Sequence, residues 1–163
     1  MKQRVIWKEQ EYELEWNDET NFSKLNNVIQ VYGFLFDKDN KICLVRPTEA
    51  RGWRLPGGKS EKEDKDWKDT LIREADEEAD VEIDKKSITP LGYIKVIPIS
   101  KNCERKEHCL LRVKANITKI NEQTEDIAER LINERIFITS EDFLDYCPWG
   151  EIGKVQRDRA MKV

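Results

Sequence analysis

The sequence predicts an α/β (α+β) fold, a sandwich in which helices cover a curved mixed sheet. Three observations carry that expectation. Apolar residues line both faces of one strand, Asn27 to Phe36. A second segment repeats its apolar residues every four positions, from Trp67 to Ala79. The elements run strand, strand, helix, three strands, helix along the chain.

The first strand places Val28, Gln30, Tyr32, Phe34 and Phe36 on one face and Ile29, Val31 and Leu35 on the other. A strand apolar on both sides belongs in the middle of a sheet. Asp37 to Lys41 reads as a turn into a hairpin partner, Ile42 to Val45. A second turn region, Pro47 to Gly52, precedes Trp53-Arg54-Leu55, and Pro56-Gly57-Gly58 then breaks regular structure. A helix is expected from about Asp64 to Ala79, with Trp67, Leu71, Ala75 and Ala79, and Ile72 beside them, as its core stripe. Acidic residues crowd its start, where the helix dipole favours them.

Strands follow at Ile88 to Ile99 and His108 to Ile117. Pro90 and Pro98 are expected to shorten the first or confine it to an edge. Ile120 to Leu131 reads as an acidic loop with some helix, and Arg135 to Thr139 as a short strand. Thr139 to Asp142 resembles a helix start ahead of Phe143 and Leu144. Glu151 to Met161 closes the chain as an amphipathic helix. Met1 to Trp16 is charged and lacks the apolar stretch of a secretory signal.

The 163 residues suit one domain, 1–163, with no repeat or linker to divide it. Hydrophobic and charged residues each make up 38%, which excludes a disordered chain. The net charge of −4 argues against a broad nucleic-acid surface, although a local basic pocket is compatible with it. No run approaches the length of a membrane span. Cys43, Cys103, Cys109 and Cys147 form no C-x-x-C pair, so reduced thiols in a cytoplasmic protein are expected. Cys103, His108 and Cys109 sit close together, but no fourth ligand completes a soft-metal spacing. A charged hairpin entering a strand, with Cys109 as a small buried hydrophobe, accounts for them better.

The chemistry concentrates in Leu55-Pro56-Gly57-Gly58-Lys59 and, downstream, Arg73-Glu74-Ala75-Asp76-Glu77-Glu78-Ala79-Asp80-Val81. On a helix, Glu74, Glu77 and Glu78 fall within about a 100° arc. Three carboxylates so close repel each other, and a divalent cation between them turns repulsion into coordination. Hard oxygen ligands suit Mg²⁺ or Mn²⁺, which neutralise phosphate charge and activate water. The glycines allow a tight bend that brings backbone near the ion. Arg73 can hold a carboxylate with a forked hydrogen bond.

These residues resemble the Nudix box, G-x5-E-x7-R-E-U-x-E-E-x-G-U, where U is aliphatic. Gly58 matches the opening glycine, Arg73-Glu74 the R-E pair, Glu77-Glu78 the E-E pair and Val81 the closing aliphatic. The resemblance implies a Nudix α/β/α sandwich, metal on Glu74, Glu77 and Glu78 with the Gly58 carbonyl, and water attack on a diphosphate. It departs in three places. Asp64 replaces the first glutamate, eight residues rather than seven separate it from Arg73, and Asp80 replaces a helix-ending glycine. Aspartate tolerates the left-handed conformation better than most residues, so the turn can survive.

The resemblance also implies a general base from a loop outside the box, or from a box glutamate itself. Glu122, Glu125, Glu129 and Glu134 are the loop candidates, with Glu125 and Glu134 preferred. Each also reads as plain surface charge. Trp53, Trp149, Tyr93 and Tyr146 could stack on a base, Trp53 being best placed, though a core role suits any tryptophan. Arg46, Arg51 and Arg54 flank Trp53 and could meet phosphates or serve as ordinary surface charge.

The expected activity is therefore metal-dependent cleavage of a nucleoside diphosphate linked to another group, such as a nucleoside triphosphate. A nucleotide sensor that binds without cleaving is the alternative, kept open by the extra residue and Asp80. An acidic interaction domain with a chance motif is a third reading. The expected partner is a small nucleotide, with nucleic acid disfavoured and a homodimer left open.

Overall fold

The structure, a computed structural model, describes residues 1–47, 51–101, 103–126 and 131–163. Nine strands form one mixed sheet: β1 (Lys2–Trp7), β2 (Gln10–Asn17), β3 (Val28–Phe36), β4 (Ile42–Arg46), β5 (Gly57–Lys59), β6 (Val81–Ile83), β7 (Thr89–Pro98), β8 (His108–Ile120) and β9 (Glu134–Ile138). Three α-helices accompany them among the described residues: α1 (Trp67–Ala79), α2 (Phe143–Tyr146) and α3 (Gly150–Lys162). The sheet runs β1-β2-β7-β8-β3-β4-β9, with β5 added to β3 and β6 to β8. The β3–β8 pair is parallel and the remaining pairs are antiparallel.

The two faces of β3 separate as its alternation predicts. Phe34 and Phe36 join Tyr12, Leu14, Trp16, Phe143 and Ile152 in one core cluster. Val31 and Leu35 join Leu71, Ala75, Ala79 and Val113 in the other. Helix α1 therefore covers one side of the sheet and α2 with α3 the other, an α/β/α sandwich. Full burial of a side chain such as Leu71 stabilises the fold by about 1.5–3 kcal/mol.

The structure adds to or departs from the sequence reading in four places. The first concerns the charged N-terminus, which is a hairpin whose β2 alternates buried Tyr12, Leu14 and Trp16 with glutamates. Its two-residue turn, Lys8-Glu9, has both φ values positive, at 49° and 63°. Such turns favour asparagine and glycine, so Lys-Glu carried no turn signal.

The second concerns β7, which lies inside the sheet between β2 and β8, despite its prolines. A register shift between Pro90 and Gly92 absorbs the missing amide, and Pro98 is the last residue of the strand. The third is the start of α1. It begins at Trp67 because the Asp66 side chain caps it, accepting from the Lys68 and Asp69 amides. The fourth is the 120s segment: β8 runs to Ile120 and the described residues 121–126 carry no helix, while 127–130 lie outside the described residues. Glu129 lies outside the described residues.

Strands β3 and β4 meet squarely only at Phe36–Ile42, then diverge. Segment Arg54 to Lys59 fills the gap. Arg54 bridges to Val45, Pro56 O accepts from the Gly33 amide at 3.0 Å, and β5 pairs with Gln30 to Tyr32. That wedge carries the glycines to the flank of α1.

Candidate active site

Gly57 and Gly58 fit the wedge for different reasons. Gly57 has φ 148°, and a Cβ there would lie 2.1 Å from the Val31 carbonyl oxygen. A Cβ on Gly58 would lie 2.3 Å from Glu74 Oε1. The strand thus passes directly against the carboxylate face of α1.

Arg73 organises that face. Its Nη2 donates to Asp64 Oδ2 at 2.9 Å and to the Lys59 carbonyl at 2.8 Å, and its Nε donates to Asp64 Oδ1 at 3.1 Å. Its Nη1 donates to Glu74 at 3.1 Å and Glu77 at 3.0 Å. Asp64 also accepts from Thr70 and from the Glu61 amide, each at 2.9 Å. Hydrogen bonding by Arg73 holds the Asp64 carboxyl down at about 2. The shorter aspartate thus receives Arg73 itself.

Glu78 accepts from Arg54 Nη2 at 2.5 Å and from the Gly57 amide at 3.0 Å. Burial, then repulsion from Glu78, pushes the Glu74 carboxyl up to about 7. Burial also raises Glu77 and Glu78, and the charge of Asp126 adds to both.

Among the described residues, no three acidic, histidine or cysteine side chains converge on one point as they stand. The donor set nevertheless fits a hard divalent cation. Oxygen ligands repel one another across Glu74 and Glu78, and Gly58 leaves Glu74 the space a Cβ would fill.

Asp80 ends α1 in the left-handed conformation, φ 49° and ψ 45°, as a glycine would. It also does what glycine cannot. Its carboxylate accepts from the Thr124 hydroxyl at 2.6 Å and the Thr124 amide at 3.0 Å. That tether fixes the segment ending in buried Asp126, whose charge is felt at Glu77 and Glu78. The sequence reading weighed only glutamates for this loop and so passed over Asp126, whose neighbour Glu125 is exposed. Glu122 is likewise exposed. Glu134 instead pairs with Arg46 across the β4–β9 ladder.

The remaining candidates divide around a cavity of about 520 Å³ beside the box. Trp53, Arg51, Arg54 and Trp149 line it. Arg46 stacks on Trp53 with its guanidinium carbon 4.5 Å from the ring centroid, and Tyr146 packs edge-on to Trp53 at 6.2 Å. Tyr93 packs against the opposite face of the sheet, in the cluster of α1. Cys109 is buried on β8, and the His108 ring bonds through Nδ1 to the Lys106 carbonyl. Sequence reasoning missed the cavity's far wall, to which β1 contributes Gln3, Val5 and Trp7 and α3 contributes Gln156.

No helix among the described residues is long and apolar enough to cross a membrane. No curated protein matches the chain in sequence. Its fold is similar to that of a Bacillus subtilis pyrophosphohydrolase, BsRppH, at 16% identity and TM-score 0.73, over 98% of this chain and 96% of that one. It is also similar to a NUDIX hydrolase from Nitrosomonas europaea, at 10% identity and TM-score 0.62, covering 84% and 90%. A NUDIX-family hydrolase from Clostridium perfringens aligns at 22% identity and TM-score 0.58, covering 85% and 99%. The NUDIX domain matches residues 26–149, which include the wedge, α1 and the Asp126 segment. With that match over most of its length, the chain belongs to the NUDIX family of hydrolases.

Proposed function

We propose that the chain is a metal-dependent pyrophosphohydrolase acting on a nucleoside diphosphate linked to a further group, with a nucleoside triphosphate as the simplest case. One observation carries the reading. Glu74, Glu77 and Glu78 are held by Arg73 and Arg54 directly against Gly57-Gly58, with the charge of Asp126 close to the latter two glutamates. Residues 1–163 act as one domain in this reading, because β1 and α3, outside the matched segment, build the same cavity.

Glu74 and Glu78 are the principal ligands for Mg²⁺ or Mn²⁺, with Glu77 and the Gly58 carbonyl completing the set. The ion, when bound, would neutralise phosphate charge and lower the pKa of a water, so that the water loses a proton more readily and attacks phosphorus. Arg73 holds Glu74 and Glu77 in position through Nη1. Asp126 is the preferred acceptor for the proton of the attacking water, ahead of Glu125 and Glu134, because among the described carboxylates of the 120s segment its charge reaches both Glu77 and Glu78. Arg54, bonded to Glu78 and lining the cavity, donates to the phosphate on the leaving side. Trp53 and Arg51 contact the nucleoside portion, and Arg46 steadies Trp53 from behind.

The test is product release from a panel of nucleoside diphosphate derivatives, with Mg²⁺ and then with EDTA. Cleavage that requires the metal, and falls by about 10²-fold or more in Glu74→Gln while the circular dichroism is unchanged, is the expected result. Tight binding with no cleavage of any compound would replace the enzyme by a sensor.

A further inference from the structure

The cavity beside the glutamates is cationic in an acidic protein. Arg51, Arg54, Arg105 and Arg112 line it, and no aspartate or glutamate does so among the described residues. The chain as a whole carries 33 acidic against 29 basic residues. Chance would scatter both signs over such a surface, so this selection points to a ligand rich in acceptors.

Arg112 on β8 is the deepest of these cations, only 6% exposed. A buried arginine normally pairs with a carboxylate. This one stacks on Tyr32, 4.8 Å from the ring centroid, and donates through Nε to Gln156 Oε1 at 2.6 Å and through Nη1 to the Leu111 carbonyl at 3.0 Å. Burial pulls its pKa down to about 10. Gln156 is fixed in turn, its Nε2 donating to the Ile152 carbonyl at 2.9 Å. The guanidinium is therefore set in one orientation by neutral acceptors. Its five N–H groups exceed the two bonds made, so donors remain at a wall of the cavity.

The remaining lining combines aliphatic side chains, among them Leu14, Leu55 and Ile152, with four aromatic rings, Trp7, Tyr32, Trp53 and Trp149. Such faces suit a planar ring better than a bare phosphate. We propose that this cavity takes the base of a 6-oxopurine nucleotide, with Arg112 donating to the O6 and N7 acceptors, and so selects guanine or hypoxanthine over adenine. The fork of a guanidinium matches two adjacent acceptors, whereas adenine presents an amino donor in place of O6. The phosphates of the same nucleotide then reach Arg54 and the Glu74–Glu78 face, since Arg54 both lines the cavity and bonds Glu78. Gln156 and Trp7 lie outside the family-matched 26–149, so part of this pocket is built by β1 and α3, beyond the matched segment.

This assignment rests on the nucleotide reading of the site but not on its catalysis. Calorimetric titration of the whole protein in EDTA with GMP, IMP, AMP and inorganic phosphate separates the two. GMP and IMP are expected to bind about 10- to 100-fold more tightly than AMP, with phosphate displacing neither. Arg112→Lys keeps the charge but loses the fork, and should lower GMP affinity far more than AMP affinity, so that the preference between them disappears. Equal binding of GMP and AMP by the unsubstituted protein, or displacement of GMP by phosphate at comparable concentration, would overturn the proposal even if the variant does not fold. Metal-dependent cleavage without a 6-oxopurine preference would remove the base assignment alone. Purine discrimination without cleavage would remove the hydrolase reading alone.

Discussion

Gly57 and Gly58 are adjacent and both lack room for a side chain, yet their substitutions should fail differently. At Gly57 the obstacle is backbone, the Val31 carbonyl, and the φ of 148° is itself strained for other residues. Gly57→Ala should cost about 3 kcal/mol or more in urea denaturation. At Gly58 the obstacle is the end of a flexible side chain, the Glu74 carboxylate. Gly58→Ala should change stability by less than about 1 kcal/mol but displace Glu74, lowering turnover by about 10²-fold. An alanine at 58 that leaves turnover intact would remove Glu74 from the reacting geometry. Asp64 adds a pH signature. Its carboxyl side chain is 6% exposed and its folded pKa is lowered to about 2, so its pairing contributes above the unfolded value and is lost as pH falls through about 4 to 2. Asp64→Asn should therefore cost about 2 kcal/mol at pH 7, and progressively less as the medium approaches pH 2.

At the level of elements, α1 is held at both ends by side chains rather than by propensity. Asp66 caps its start, and its end is received by Arg135, which donates to the Ala79, Asp80 and Asn121 carbonyls at 2.7, 3.3 and 3.0 Å. A cation at a helix C-terminus meets both orphan carbonyls and the dipole. Arg135→Ala should cost about 1–3 kcal/mol. It should also speed amide exchange at Thr124 ahead of the sheet, because the same guanidinium ties the Asn121 segment to the helix. Exchange that rises uniformly instead would mean that the contact is only one of many equal ones. Through Asp80 and Arg135 the end of α1 positions Asp126, so a helix cap and a candidate proton acceptor are parts of one device.

Across the whole molecule, the N-terminal hairpin is both core and cavity wall. Tyr12, Leu14 and Trp16 are buried against β7 and the α3 side of the sheet, each worth about 1.5–3 kcal/mol. Their sum rivals the entire stability of an ordinary domain. The Gln3 side chain joins the hairpin to α3, accepting from the Ile152 amide at 3.4 Å. Removal of residues 1–17 should therefore leave β7 as an exposed edge and yield an aggregating or largely unfolded chain on size-exclusion chromatography. A monodisperse, cooperatively melting truncation would show the hairpin to be an appendage.

The sequence by itself determined the parts whose chemistry is local. Alternation in Asn27 to Phe36 and the four-residue repeat from Trp67 to Ala79 placed the central strand and the helix, because each periodicity is the geometry of its own backbone. Arg73-Glu74 and Glu77-Glu78 were legible for the same reason: helical spacing alone puts their carboxylates on one face. Even the substitution of Asp80 was readable, since the left-handed conformation is a property of one residue. The hairpin was half legible, its alternation plain in Tyr12, Leu14 and Trp16 but its turn unsignalled by Lys8-Glu9. Only the tertiary structure decided that Glu134 pairs with Arg46, that the charge of Asp126 reaches Glu77 and Glu78, and that Arg112 meets Gln156. Those partners lie far apart in the chain, 44 residues for the last pair. No backbone periodicity links such positions; sheet order and helix docking bring them together, and these are set by how the whole apolar surface closes.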